Sequence, residues 1–274
     1  MLRGLYTAAA GMLTRGIWQD VTANNLANLT TPGFKRDFPI FRSFPEMLVS
    51  RITDLISGQL PAGIPIPMRG GFRERVPIGS LGTGVDLEGV ATDLSQGPLV
   101  ETGNPLDLAL DGEGFFAVET PYGERYTRNG AFTLDNQGYL VTREGFHVMG
   151  DGGPIAIPLA GRPAADLEIT ETGAVLLRGR QVGQLRIVRF QNPGGLVKEG
   201  NGLFRASGEA MMIPDSPASF SMVVRQGFLE MSNANSITEL VSMIECLRAY
   251  ETNQKMIAFF DQTLEKAVNE VGRA

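Results

Sequence analysis

The sequence has 274 residues, 43% of them hydrophobic, with 24 Lys and Arg against 30 Asp and Glu and a net charge of −6. That is enough apolar material for one large or two ordinary folded domains, and an acidic balance without a basic block argues against a nucleic-acid binder. The single cysteine, Cys246, rules out an intramolecular disulfide, and no run reaches the roughly 18 to 20 apolar residues of a membrane-spanning helix.

The first segment, residues 2–29, places Leu2, Leu5, Ala9, Met12, Gly16, Ala23 and Leu26 near the a and d positions of a heptad, broken at Gln19. The pattern predicts a helix lying against another helix. Its start resembles a secretory leader only superficially. Arg3 is its sole basic residue and no continuous apolar stretch follows, so no cleaved signal peptide is expected. Asn24, Asn25 and Asn28 weaken the helix, and Thr31-Pro32-Gly33 is turn chemistry that ends it. Phe38, Pro39, Phe41, Phe44 and Pro45 then predict an extended stretch. Residues 46–57 predict a short amphipathic helix through Met47, Leu48, Ile52, Leu55 and Ile56. Proline and glycine crowd residues 61–84 and predict a long loop, of the kind that is commonly functional or ordered by a partner.

The middle reads as β. Leu106, Leu108 and Leu110 alternate, Asp111-Gly112 marks a turn, and Phe116 and Val118 resume the alternation. Further turn signals at Tyr122-Gly123, Asn129-Gly130, Gln137-Gly138, Glu144-Gly145 and Asp151-Gly152 predict short strands joined by tight turns. Later strands are expected over 167–170, 174–177, 182–190, 202–206 and 219–225. Together they predict an antiparallel small sandwich or partly open barrel over residues 85–226.

The last segment opens on Ser236-Ile237-Thr238-Glu239, which has the form of a capping box. Ile237, Leu240, Ile244 and Leu247, then Ile257, Phe260, Leu264, Val268 and Val271, form an apolar stripe that drifts by one position midway. A helix of this length would reach on the order of 50 Å. Periodicity alone fits a local helical hairpin and an assembly surface equally well. The predicted fold class is thus α+β, a β-rich antiparallel central domain with long N- and C-terminal helices forming a coiled-coil-like α domain. Its expected parts are an N-terminal helix (1–35), an extended Pro/Gly-rich linker with a short helix (36–84), the β domain (85–226) and a C-terminal helix (227–274).

Residues that could carry chemistry are few. His147 is the only histidine and there is no cysteine pair, so neither a zinc site nor a histidine-based triad is expected. Asp111, Glu113 and Asp135 could supply the carboxylate pair of a glycosidase, but the two aspartates sit in turn sequences, where Asp serves the backbone first. Gly112-Glu113-Gly114 lacks the remainder of a dinucleotide loop. No cofactor, metal or small-molecule substrate is expected.

Three blocks carry a resemblance. NNLAN at 24–28 with TPGFKR at 31–36, TGNPLDLALDGEGFF at 102–116 with YTRNGAFTLD at 126–135 and GYLVT at 138–142, and GFLEMSNAN at 227–235 with MIECLRAYE at 243–251 and NQK at 253–255 occur in this order. Together they resemble the rod and hook family of bacterial flagellar axial proteins, and within it the distal-rod members most. The segment 38–84 departs from that pattern.

The resemblance implies a structural subunit rather than an enzyme. Both termini would form an inner α domain, with the β domain as outer wall of a hollow helical drive shaft transmitting torque to the hook. Implied partners are further copies of the chain, other rod and hook proteins, the flagellar type III export apparatus, and bushing or ring proteins around the rod. The implied location is the basal body, spanning the envelope after export. Implied assembly residues are Leu2, Leu5, Met12, Asn24, Asn25, Leu26, Asn28, Gly33, Phe34, Ile237, Leu240, Ile244, Leu247, Arg248, Tyr250, Glu251, Ile257 and Leu264. The competing reading is a β-rich envelope protein that binds or hydrolyses glycans and oligomerises through helical ends.

Overall fold

The computed structural model describes residues 2–43, 47–54, 73–81, 84–158, 167–208, 212–213 and 222–271, with side chains described at 4–43, 84–158, 167–208 and 222–269. It is α+β. Helix α1 (Leu2–Ala27) is followed by β1 (Asp37–Ser43), β2 (Met47–Asp54), β3 (Arg73–Leu81), β4 (Val85–Thr92), β5 (Leu99–Glu101) and β6 (Leu108–Asp111). Next come β7 (Phe115–Thr120), β8 (Gly123–Thr127), β9 (Thr133–Leu134), β10 (Leu140–Val141), β11 (His147–Gly150), β12 (Gly153–Pro154), β13 (Leu167–Ile169) and β14 (Ala174–Leu177). Then follow β15 (Arg180–Gln184), β16 (Ile187–Phe190), β17 (Leu196–Gly200), β18 (Leu203–Ala206), β19 (Met212–Ile213), β20 (Val223–Gln226) and β21 (Phe228–Glu230). Helix α2 (Ser236–Lys266) ends in a π-helical turn, Ala267–Val271.

The chain divides into two compact units, one of residues 1–18, 39–89 and 246–274, the other of 19–38 and 90–245. In the first, the helices meet at regular intervals. A Cβ on Gly4 would lie 2.4 Å from the Phe260 ring and one on Gly11 2.8 Å from Asn253 Nδ2, while the Cys246 thiol donates to the Arg15 carbonyl at 2.8 Å. A larger residue at either position would force the Phe260 ring or the Asn253 side chain to move. Trp18 packs on Phe41 at 5.6 Å between ring centroids and under the Arg15 guanidinium at 4.8 Å.

Two sequence expectations in this unit are corrected. The short helix predicted over 46–57 is strand β2 where it is described. It pairs antiparallel with β3, from Met47 opposite Leu81 to Asp54 opposite Arg73. A brief apolar run fits either period, and β-branched Val49, Ile52 and Thr53 with a partner strand decide for extension. The loop predicted over 61–84 contains β3, whose Pro77 lies opposite Ser50 where the register shifts; a bulge tolerates the missing N–H. Residues 38–43 are extended within β1, as the aromatic-proline run implied, and Phe44 and Pro45 of that run lie outside the described residues.

The second unit is built around β7. One edge pairs with β8; the other pairs with β16 over Phe115 and Phe116 and with β11 over Val118 and Glu119. Its side chains alternate between two cores. Phe116 and Val118 join Leu108, Leu110, Leu140, Val148 and Ile187, whereas Phe115 and Ala117 join Tyr126, Val188, Phe190 and Phe204. Burial on both faces explains why Phe115-Phe116-Ala117-Val118 is a continuous apolar run. The main sheet runs β17-β18-β8-β7-β11-β10-β9 as an open path, not a closed barrel, among the described strands. The strand expected over 182–190 divides into β15 and β16, and β5, β17, β19 and β21 lie outside the individually predicted strands.

Tyr126 is 3% exposed, and its hydroxyl donates to Glu124 at 3.1 Å. Burial, and then the Glu124 carboxylate, push its phenol up to about 12. The unfolded phenol ionises near 10, so between about pH 10 and 12 the unfolded chain holds fewer protons and stability falls as pH rises, by roughly 2–3 kcal/mol. Tyr126→Phe should abolish this portion of the alkaline loss in urea titrations. An unchanged pH slope would remove Tyr126 as its source.

Candidate functional site: a buried polar junction

The end of α1 is set by short-range polar contacts. Asn28 donates through Nδ2 to the Asn24 carbonyl at 2.9 Å and accepts from the Thr31 hydroxyl at 3.1 Å. Gly33 adopts φ +68°, its N–H donates to the Glu230 carbonyl at 2.7 Å, and a Cβ there would sit 2.4 Å from Asn129 N. Left-handed backbone and direct contact with another chain segment both demand glycine. Gly33→Ala should cost more than about 1 kcal/mol, read as a lower urea midpoint. An unaltered midpoint would show that this approach is easily relaxed.

This turn delivers Lys35 into the interior. Its ammonium lies 2.5 Å from Glu230 Oε1 and 2.7 Å from the Ser95 carbonyl, and the Lys35 and Glu230 side chains are 0% exposed. Glu230 Oε1 also accepts the Gly97 N–H at 2.9 Å, and Oε2 faces Arg128 Nη1 at 3.3 Å. Arg128 in turn donates to the Gly112 carbonyl at 2.7 Å and lies over the Phe115 ring at 5.2 Å. Two buried cations thus flank one buried carboxylate. Burial pushes the Lys35 ammonium below its usual value, opposed by the attraction of Glu230; Arg128 is lowered for the same reasons.

A second layer surrounds this cluster. Lys198 donates to the Lys35 carbonyl at 2.7 Å and to Asp37 at 2.8 Å, and lies over the Phe34 ring at 3.8 Å. Asn25, 2% exposed, exchanges two hydrogen bonds with the Asp37 backbone, at 2.8 and 3.0 Å, and donates to Glu239 at 3.3 Å. Asn233 accepts the Arg36 N–H at 2.8 Å and donates to the Asp93 carbonyl at 2.9 Å. A backbone bond from Ser95 is the main reason the Asp93 carboxyl is held below its ordinary value.

The predicted capping box is corrected here. Asn235, not Ser236, caps α2, its Oδ1 accepting from Ile237 and Thr238 at 2.9 and 3.3 Å. Glu239 points instead into the junction, where it also meets Arg36 at 3.4 Å. A buried carboxylate with a half-buried guanidinium and a buried amide donor beside it is better satisfied there than at a helix end.

The sequence-derived assembly residues separate into distinct settings. Asn25, Gly33 and Phe34 are buried, and Asn24 is exposed beside them. Leu5, Met12, Leu26, Asn28, Tyr250, Ile257 and Leu264 are half-buried, while the Leu2 side chain lies outside the described residues. Ile237, Leu240, Ile244, Leu247, Arg248 and Glu251 are exposed. Lys35, Arg128 and Glu230 were not singled out as a set. Their one sequence signal was that each lies within one of the three blocks.

The candidate acids serve structure. Asp111 pairs with Arg225 at 2.8 Å, Glu113 pairs with Arg189, and Asp135 accepts backbone N–H groups of its own turn. His147 packs against Tyr139 at 5.1 Å.

Buried polar contacts tie the end of α1 and the start of α2 to the antiparallel β region. Comparison with known proteins gives the class, a structural protein. Residues 5–35 match the family Flagella basal body rod protein, residues 109–177 the Flagellar hook protein FlgE/F/G D1 domain, and residues 225–270 the Flagellar basal body rod FlgEFG protein C-terminal family. The chain is 35% identical to the flagellar basal-body rod protein FlgG of Bacillus subtilis, over 98% of this chain and 99% of the relative. It is 37% identical to that of Agrobacterium fabrum, over 95% and 96%. It is 30% identical to the flagellar hook-basal body complex protein FlhO of Bacillus subtilis, over the full length of both. The chain belongs to the flagellar basal-body rod and hook protein family and is a structural component of the flagellar basal body, not an enzyme.

Proposed function

We propose that this chain is a subunit of the distal part of the flagellar rod, exported unfolded through the type III apparatus and polymerised into a hollow helical drive shaft. In this reading residues 1–35 and 227–274 form the inner, coiled-coil-like axial domain and 85–226, as a small sandwich or partly open barrel, the outer wall; 36–84 connects them. Further copies, neighbouring rod and hook proteins and the surrounding ring proteins are its partners.

The observation that carries the reading is the apolar stripe on α2, where Ile237, Leu240, Val241, Ile244 and Leu247 are all exposed. A contiguous apolar face of this kind belongs to an interface. Contacts at Gly4 and Gly11, and at Phe260, Asn253 and Cys246, recur every seven residues and support coiled-coil-like packing. Imaging purified hook-basal bodies with this subunit labelled tests the reading. Label on the rod next to the hook is expected, and label at the base of the rod or in the hook would overturn the distal assignment.

A further inference from the structure

Beside the buried junction lies an open cleft of about 1020 Å³. Asp20, Val21, Asn24 and Asn28 of α1 form one wall, and Leu196, Val197, Asn201 and the turn residue Glu144 line it elsewhere, over a floor that includes Phe34 and Leu94. Val90 and Val197, which also line it, are 50% and 43% exposed. A helix about 10 Å across fills roughly 80 Å³ per ångström of its length, so the cleft has room for about two turns.

We infer that this cleft receives the first turns of α2 from a second copy, centred on Leu240 and Ile244. This rests on the polymer reading above and names the surface that reading leaves open. The stripe on α2 is apolar, exposed and just this long, with Leu240, Ile244 and Leu247 spaced at i, i+4 and i+7. Charge fits as well. Asp20 and Glu144 are exposed in the cleft lining, and Arg248 is exposed one turn beyond Ile244; none of the three is in an ion pair among the described residues. Seating Arg248 against the acidic lining sets the direction of entry.

The consequence is geometric. Stripe and cleft are different surfaces of one chain, so each copy presents its stripe to the next copy's cleft while its own cleft stays open for the previous one. Such a heterologous contact propagates into a helical filament or ring.

The test uses the full chain carrying Cys246→Ser, Leu240→Cys and Val197→Cys, incorporated into basal bodies and oxidised. A ladder of disulfide-linked oligomers is expected, absent when either new cysteine is omitted. Normal rods without a ladder would overturn this inference and leave the rod reading intact, whereas absence of the unmodified chain from rods would overturn both. A disulfide-linked dimer from Leu240→Cys alone would mean stripe meets stripe, and would also overturn it. Independently, Glu144→Lys and Arg248→Glu should each cut incorporation roughly tenfold and restore it when combined. Failure of the pair to rescue each other would overturn the proposed direction of entry.

Discussion

Replacing Glu230 by alanine should destabilise the chain by about 3–5 kcal/mol, because it leaves Lys35 and Arg128 as buried cations without their carboxylate. Removing one partner of a buried set costs far more than the set contributes, since the remaining charge keeps its desolvation penalty and loses its compensation. The loss should appear as a lower urea midpoint and persist at high salt, because screening hardly reaches groups that are 0% exposed. Adding Lys35→Met to Glu230→Ala should recover part of the loss by removing one uncompensated charge. If Glu230→Ala unfolds at the wild-type midpoint, the cluster does not hold the junction. If the double variant is no better than the single one, the cost lies elsewhere than in the stranded lysine.

Leu240→Asp or Ile244→Asp should abolish incorporation into the rod while shifting monomer stability by no more than about 0.5 kcal/mol. Leu240 and Ile244 are 47% and 50% exposed, so a carboxylate there remains hydrated in the free chain. In an assembled interface the same carboxylate would be buried without a partner, and that cost falls on assembly alone. Motility and rod incorporation report the first effect, and urea unfolding of the monomer the second. Normal incorporation would remove these residues from the interface. A strongly destabilised monomer would make them part of the chain's own core.

These two predictions depend on different kinds of information. Leu240 and Ile244 were visible as a stripe in the sequence, because helical periodicity is local and survives as spacing between neighbours. The Glu230 cluster was not visible, since Lys35, Arg128 and Glu230 are each separated by about a hundred residues and no spacing rule links them. The same division runs through the fold. Turn signals such as Gln137-Gly138 and Glu144-Gly145 marked their hairpins, with Gly138 and Gly145 at positive φ. By contrast, β2 has an apolar run compatible with either period, and only its pairing with β3 made it a strand. The helix cap moved from Ser236 to Asn235 for a related reason: the competing demand on Glu239 comes from Asn25 and Arg36, on another part of the chain.

By itself the sequence determined the α+β composition, the two terminal helices, most of the central strands and, through its three blocks, membership of the rod and hook family. These follow from local chemistry: side-chain period, turn-forming residues and short strings that keep their order. Only the tertiary structure decided that the three blocks close on one buried carboxylate, that Asn25, Gly33 and Phe34 are interior while Leu240 and Ile244 remain outside, and that a helix-sized cleft lies beside the junction. Burial is a property of what comes to lie against a residue, and for the Glu230 cluster the residues that decide it arrive from about a hundred positions or more away.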